Sequence, residues 1–157
     1  MPKPNVFISH RWDYNTGYYS LVKKFEQYGL DHVDYSVPRH DPADVSTTNA
    51  ISRALAEQVR QCNYFIIFGN RAVINSKWCR YELQTAQSYH KPILAVNPYA
   101  YLGGTPPQIA AADTEGGPVG LHAPAIIRRI CTRLRAPRKI SAFQCFCGHE
   151  KAANLAA

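Results

Sequence analysis

Apolar positions recur along the chain in two rhythms. The unbroken runs Val6-Phe7-Ile8, Tyr64-Phe65-Ile66-Ile67-Phe68 and Ile93-Leu94-Ala95-Val96 read as strands buried on both faces, and Val33 to Val37, stopped by Pro38, reads as a further strand. Between them the apolar residues fall three or four positions apart, the spacing of a helix with one side against a core. Tyr18, Leu21, Val22, Phe25 and Tyr28 predict a helix that Gly29 ends, since glycine takes the left-handed cap conformation freely. Ile51, Leu55, Val59 and Cys62 predict a second helix over 48–61. Cys79, Leu83 and Ala86 predict a third, opened by Ser76 as N-cap and finished before Pro92. Ile126, Ile127, Ile130 and Leu134 predict the last, over 125–134.

Strand and helix alternate, which implies an α/β domain: a single doubly wound, mainly parallel sheet flanked by helices in three layers. The domain is expected over 1–135. Within it the segment 97–124 holds most of the glycines and prolines and reads as a long insert, and 136–157 reads as a basic, cysteine-containing tail. In such a sheet a ligand binds beyond the carboxyl ends of the strands. Those ends are Ser9-His10, Val37-Pro38-Arg39, Gly69-Asn70-Arg71 and Asn97-Pro98.

Composition narrows the setting. The chain has 157 residues, 46% hydrophobic and 18% charged, which suits one globular domain with a real core. It has no signal peptide and no apolar run near the ~20 residues of a membrane span, so a cytoplasmic protein is expected, with no membrane partner. Five cysteines are an odd number, and Cys62, Cys79 and Cys131 fall on apolar helix faces, as reduced thiols do. Net charge is +7, with Arg128, Arg129, Arg133, Arg135, Arg138 and Lys139 clustered. Such a cluster can meet nucleic acid, with affinity falling steeply with salt, but the solvated face of a terminal helix accounts for it better. Cys145, Cys147 and His149 offer three metal-ligand types without a fourth, so no metal site is assigned.

One charge does not fit its surroundings. Glu82 lies three residues after Cys79 and four after Trp78, at the border of the apolar stripe of its helix. It is not a capping-box acid, because the third helical position is Cys79. Nor has it a local ion-pair partner, because the positions three and four away hold Trp78, Cys79, Thr85 and Ala86. Its helix starts on the ligand edge of the sheet, and Glu82 is only ~9 Å from that start. A carboxylate at an apolar boundary facing a cleft is a candidate for catalysis.

Absent motifs remove several alternatives. There is no G-x-G-x-x-G after the first strand and no G-x-x-x-x-G-K-[ST], so neither a dinucleotide-binding fingerprint nor a P-loop is present. The third strand ends in Gly69-Asn70, where a receiver domain would carry an aspartate.

Val6-Phe7-Ile8-Ser9-His10, then Phe68-Gly69-Asn70 and Ser76-Lys77-Trp78-Cys79-Arg80-Tyr81-Glu82, together resemble the TIR domain, a flavodoxin-like fold. The chain looks most like the TIR-like synthases of bacterial Thoeris antiphage systems, and the match in organisation runs from about Asn5 to Val96. The resemblance implies an enzyme that cleaves NAD, its substrate and not a cofactor, with Glu82 as catalytic residue. It further implies an ADP-ribose-derived product, often a cyclic isomer, that activates a separate effector, together with a phage-derived trigger and a homo-oligomer on activation. Breaking the nicotinamide–ribose bond passes through a sugar cation, which one carboxylate can stabilise. Ser9, His10, Arg11, Asp34, Asn70 and Trp78 are then expected to line the substrate, with Arg39 and Arg71 as further diphosphate candidates and Phe7 or Trp12 as a base-stacking ring. Rival readings are a TIR interaction module without chemistry and an enzyme like the nucleoside deoxyribosyltransferases, which also place a glutamate by a parallel sheet.

Overall fold

A computed structural model describes residues 3–11, 16–36, 48–98 and 104–134. Among these residues five parallel strands form the sheet: β1 (Asn5–Ser9), β2 (Val33–Asp34), β3 (Tyr64–Phe68), β4 (Ile93–Asn97) and β5 (Val119–Gly120), in the spatial order β2-β1-β3-β4-β5. The helices are α1 (Thr16–Gln27), α2 (Thr48–Gln61), α3 (Arg71–Asn75), α4 (Lys77–Ser88), α5 (Pro107–Ala112) and α6 (Ala123–Leu134). The chain leaves β1 for β2 on one side and returns to β3 on the other. Right-handed crossovers therefore put α1 on one face of the sheet and α2 and α4 on the opposite one. α1 touches α6, while α2 touches α4, as this requires. The order reverses between β1 and β3, the point beyond whose carboxyl ends sheets of this kind bind ligands.

The core follows the apolar runs. All five residues of β3 are buried, as are Val6 to Ile8 of β1 and Ile93 to Val96 of β4. Leu21 and Phe25 seal one face, and Val59, Cys79, Leu83 and Ala86 seal the other. Phe7 stacks on Phe65 with ring centroids 5.4 Å apart, so it is core and not a base-stacking ring. Cys62, Cys79 and Cys131 are free, buried thiols.

Three stretches differ from the sequence-based expectation. The second strand stops at Asp34 instead of Val37, because the Asp34 carboxylate accepts the Ser36 N–H at 2.7 Å and turns the backbone. Ser36 Oγ then accepts the Ile8 N–H at 2.8 Å, replacing a ladder bond with a side chain. Next, Asn70 caps a short helix not foreseen, its side-chain oxygen accepting the Val73 N–H at 2.9 Å. Finally, the stretch read as a long insert contains α5 and the edge strand β5. There Asp113 and Thr114 act as a substitute strand: their side chains accept the N–H groups of Ala95 and Ile93 at 2.8 and 2.9 Å. The other Asp113 oxygen accepts the N–H groups of Glu115 and Gly117, in a turn whose Gly116 and Gly117 have φ of 92° and 100°.

Two arginines of the basic cluster hold this turn. Arg129 donates to the Gly117 carbonyl at 2.6 Å, and Arg133 lies 3.7 Å from Glu115. Among the described residues no helix is long and apolar enough to cross a membrane, and no group of His, Cys, Asp and Glu could hold a metal. Trp12, Arg39, the loop from Pro38 to Ser46, Arg135, Arg138, Lys139, Cys145, Cys147 and His149 lie outside the described residues.

Candidate active site

Ser76 opens α4 as its N-cap, accepting the Cys79 N–H at 3.4 Å. With the start of α4 fixed, Cys79, Glu82, Leu83 and Ala86 all turn inward. Glu82 is thereby placed against the sheet, and α4 lies over β1. Ser9, the last residue of β1, donates its hydroxyl to Glu82 Oε2 at 2.5 Å. Ser9 is 0% and Glu82 5% exposed, so this bond is buried at the tip of β1. Among the described residues no lysine or arginine pairs with Glu82. Burial therefore governs its proton: the carboxyl is pushed up to about 8, with the Ser9 bond pulling the other way. The neighbouring Cys79 thiol is pushed up to about 11, first by burial and then by the Glu82 charge. Arg11, just past β1, acts on that thiol in the opposite sense.

Successive strand residues alternate in direction, so His10 turns to the other side of the β1 tip. Its Nδ1 lies 2.9 Å from the Ile8 carbonyl, which can only accept, so Nδ1 carries the proton and Nε2 a lone pair in the neutral ring. Burial favours that neutral ring and lowers the His10 pKa, against the Ile8 bond and the Asp34 charge. Tyr18 of α1 stacks on His10 at 4.3 Å, with 11° between the planes. Its hydroxyl donates to Asp34 at 2.6 Å, and burial together with this bond raises its pKa. His10, Tyr18, Asp34 and Ser36 are thus one connected group at the ends of β1 and β2.

The expected site residues separate accordingly. Ser9 and Glu82 are in contact; His10 and Asp34 share Tyr18. Asn70 is engaged as the cap of α3. Trp78 is half-buried, meets Tyr81 edge-on at 6.4 Å and has Lys77 Nζ 5.2 Å from its ring centre. Arg71 is exposed on the first turn of α3. Tyr18 and Ser36 were not foreseen. The signal for Tyr18 was its hydroxyl, a polar tip on an otherwise apolar helix face next to a strand carboxylate.

A Ser-bonded glutamate over the β1 tip, in a parallel sheet of this order, is the arrangement to set beside known families. The family model of the Thoeris protein ThsB, TIR-like domain, matches residues 7–101. The chain belongs to this family. The matched span runs from within β1 past β4 and takes in Ser9, His10, Asp34, Asn70 and Glu82. The Thoeris ThsB family is one of antiphage defence, and the assignment rests on more than half of the chain. Among solved structures, a conserved protein from Enterococcus faecalis V583 is similar, with a TM-score of 0.64 over 84% of this chain and 99% of that one. At 12% identity that likeness concerns the fold alone. No curated protein matches the chain.

Proposed function

We propose that this chain is the NAD-cleaving enzyme of a Thoeris antiphage system. It breaks the nicotinamide–ribose bond and releases an ADP-ribose-derived signal, a cyclic isomer, that switches on a separate effector. The observation that carries the reading is Glu82: a carboxyl at the ligand edge of the sheet, bonded to Ser9 and paired with no cation among the described residues.

The chemistry asks for such a group. The nicotinamide ring of NAD carries a positive charge, and the electron pair of the C–N bond moves onto its nitrogen as the bond breaks. The positive charge then passes to the ribose. A carboxylate beside the sugar stabilises that cation, and more strongly where water is excluded. Capture by a hydroxyl of the same molecule closes a ring and releases a proton; capture by water gives the linear product. The cationic nicotinamide ring of the substrate also favours the charged form of Glu82, so binding itself can ionise a carboxyl that is neutral at rest. His10, Arg11 and Asp34, at the ends of β1 and β2, are the candidates to face substrate.

The test is nicotinamide release from NAD by the purified chain, alone and with lysate of phage-infected cells. Glu82→Gln keeps the shape and removes the charge, and is expected to lower turnover by roughly a hundredfold or more, as for other groups that stabilise transition-state charge. Equal turnover by the variant would overturn the role. Mass spectrometry of the released nucleotide separates cyclic from linear product.

A further inference from the structure

The hydroxyl proton of Ser9 belongs to Glu82 in this fold and is not free to be given to a ligand. Ser9 is fully buried, its backbone is held in the ladder opposite Ile67, and its single proton is given to Oε2 at 2.5 Å. To donate to substrate it would have to release the carboxyl. We propose that Ser9 is the positioning residue of this site: by fixing Oε2 it leaves Oε1 as the oxygen that exchanges the proton and meets the ribose. The inference rests on the reading of Glu82 as the catalytic group.

The surroundings favour the carboxyl as the group that takes the serine proton. On α4 the other group within reach of the Ser9 hydroxyl is Cys79. Its thiol stays protonated near neutral pH, so it does not compete for the serine proton as a thiolate would. Arg11 acts on Cys79, while His10 is engaged with Ile8 and Tyr18, and Asp34 with Tyr18 and Ser36. Among these groups the serine hydroxyl alone bonds the carboxyl. A glutamate side chain has three rotatable torsions, and a bond to a rigid strand end removes much of that freedom.

The experiment compares wild type, Ser9→Ala and Ser9→Thr by two readouts. One is nicotinamide release as a function of pH, resolved into kcat and KM. The other is the melting temperature as a function of pH, which needs no activity. Ser9→Ala is expected to lower kcat roughly ten- to hundredfold, the loss of one hydrogen bond to a charged group, with KM close to wild type. The alkaline-rising limb of the rate and the pH range over which stability falls both move to higher pH. Ser9→Thr, which keeps the hydroxyl on a residue suited to strands, returns both profiles toward wild type. A raised KM with intact kcat would overturn the proposal and make Ser9 a substrate contact. So would a melting profile for Ser9→Ala that superimposes on wild type. If wild type releases no nicotinamide at all, the enzymatic reading fails by itself, and the melting profiles still decide whether Ser9 controls the Glu82 proton.

Discussion

Glu82 is kept neutral by the same burial that would make its charge effective. Unfolded, it loses its proton near the ordinary value of 4.5; folded, it holds the proton to about 8. Between those values the native state binds more protons than the unfolded state, so stability falls as pH rises, by up to about 1.4 kcal/mol per pH unit. The contribution is full below the lower value and gone above the higher one. Glu82→Gln removes the titration. The variant is therefore expected to melt above wild type, by a margin that grows from pH 5 to pH 8 and then levels off, as a set of thermal scans would read. A margin that is constant with pH would mean that Glu82 titrates normally. In the enzyme, kcat/KM is expected to climb toward pH 8 with the free carboxylate, and kcat to climb at lower pH, because bound substrate brings its own positive charge. The anomaly of Glu82 was legible from its neighbours three and four residues away. Its partner was not, since Ser9 lies 73 residues distant and only the folded sheet brings the two together.

At the scale of elements, the strands that carry the core were written plainly in Val6–Ile8, Tyr64–Phe68 and Ile93–Val96. Gly29 ends α1 as expected: it has φ 71°, and Leu30 N–H reaches the Phe25 carbonyl at 2.8 Å. What escaped were pieces too short to show a period. The five residues of α3 make barely more than one turn, and β5 has two residues set among glycines. Asn70 shows how one side chain decides such an element. Asn70→Ala is expected to cost about 1 kcal/mol in denaturant unfolding, and Asn70→Asp to retain most of it. If Asn70→Asp keeps stability yet raises KM for NAD, Asn70 also meets the ribose. α2 is finished in a different way: Lys91 Nζ donates to the carbonyls of Arg60 and Cys62 at 2.6 and 2.5 Å. Replacing Lys91 with Met is expected to lower stability by about 1 kcal/mol, since a cation no longer meets the helix C-terminus.

Across the whole molecule, glycines let distant segments approach the ligand edge. A Cβ on Gly17 would lie 3.5 Å from the Phe68 ring, an ordinary contact between α1 and the end of β3. On Gly69 it would lie 2.7 Å from Thr105, which no packed side chain tolerates. The residue after β3 and the segment before α5 thus touch directly, beside Asn70. Gly69→Ala is expected to cost about 1–3 kcal/mol by overpacking. Adding Thr105→Ala to it should recover most of that loss, a non-additivity that a double-mutant cycle measures. Gly69 itself was visible as the stop of a strand, but its contact was not, because Thr105 comes from the part of the chain with the least periodic sequence.

The turn around Asp113 bears on how copies of this protein can meet. The N–H groups of Ile93 and Ala95 already have side-chain acceptors, so they offer no template to a neighbour's strand. Filaments built by stitching one sheet onto the next are closed off along this half of β4. An array of the chain that runs past this stretch has to be joined through other surfaces.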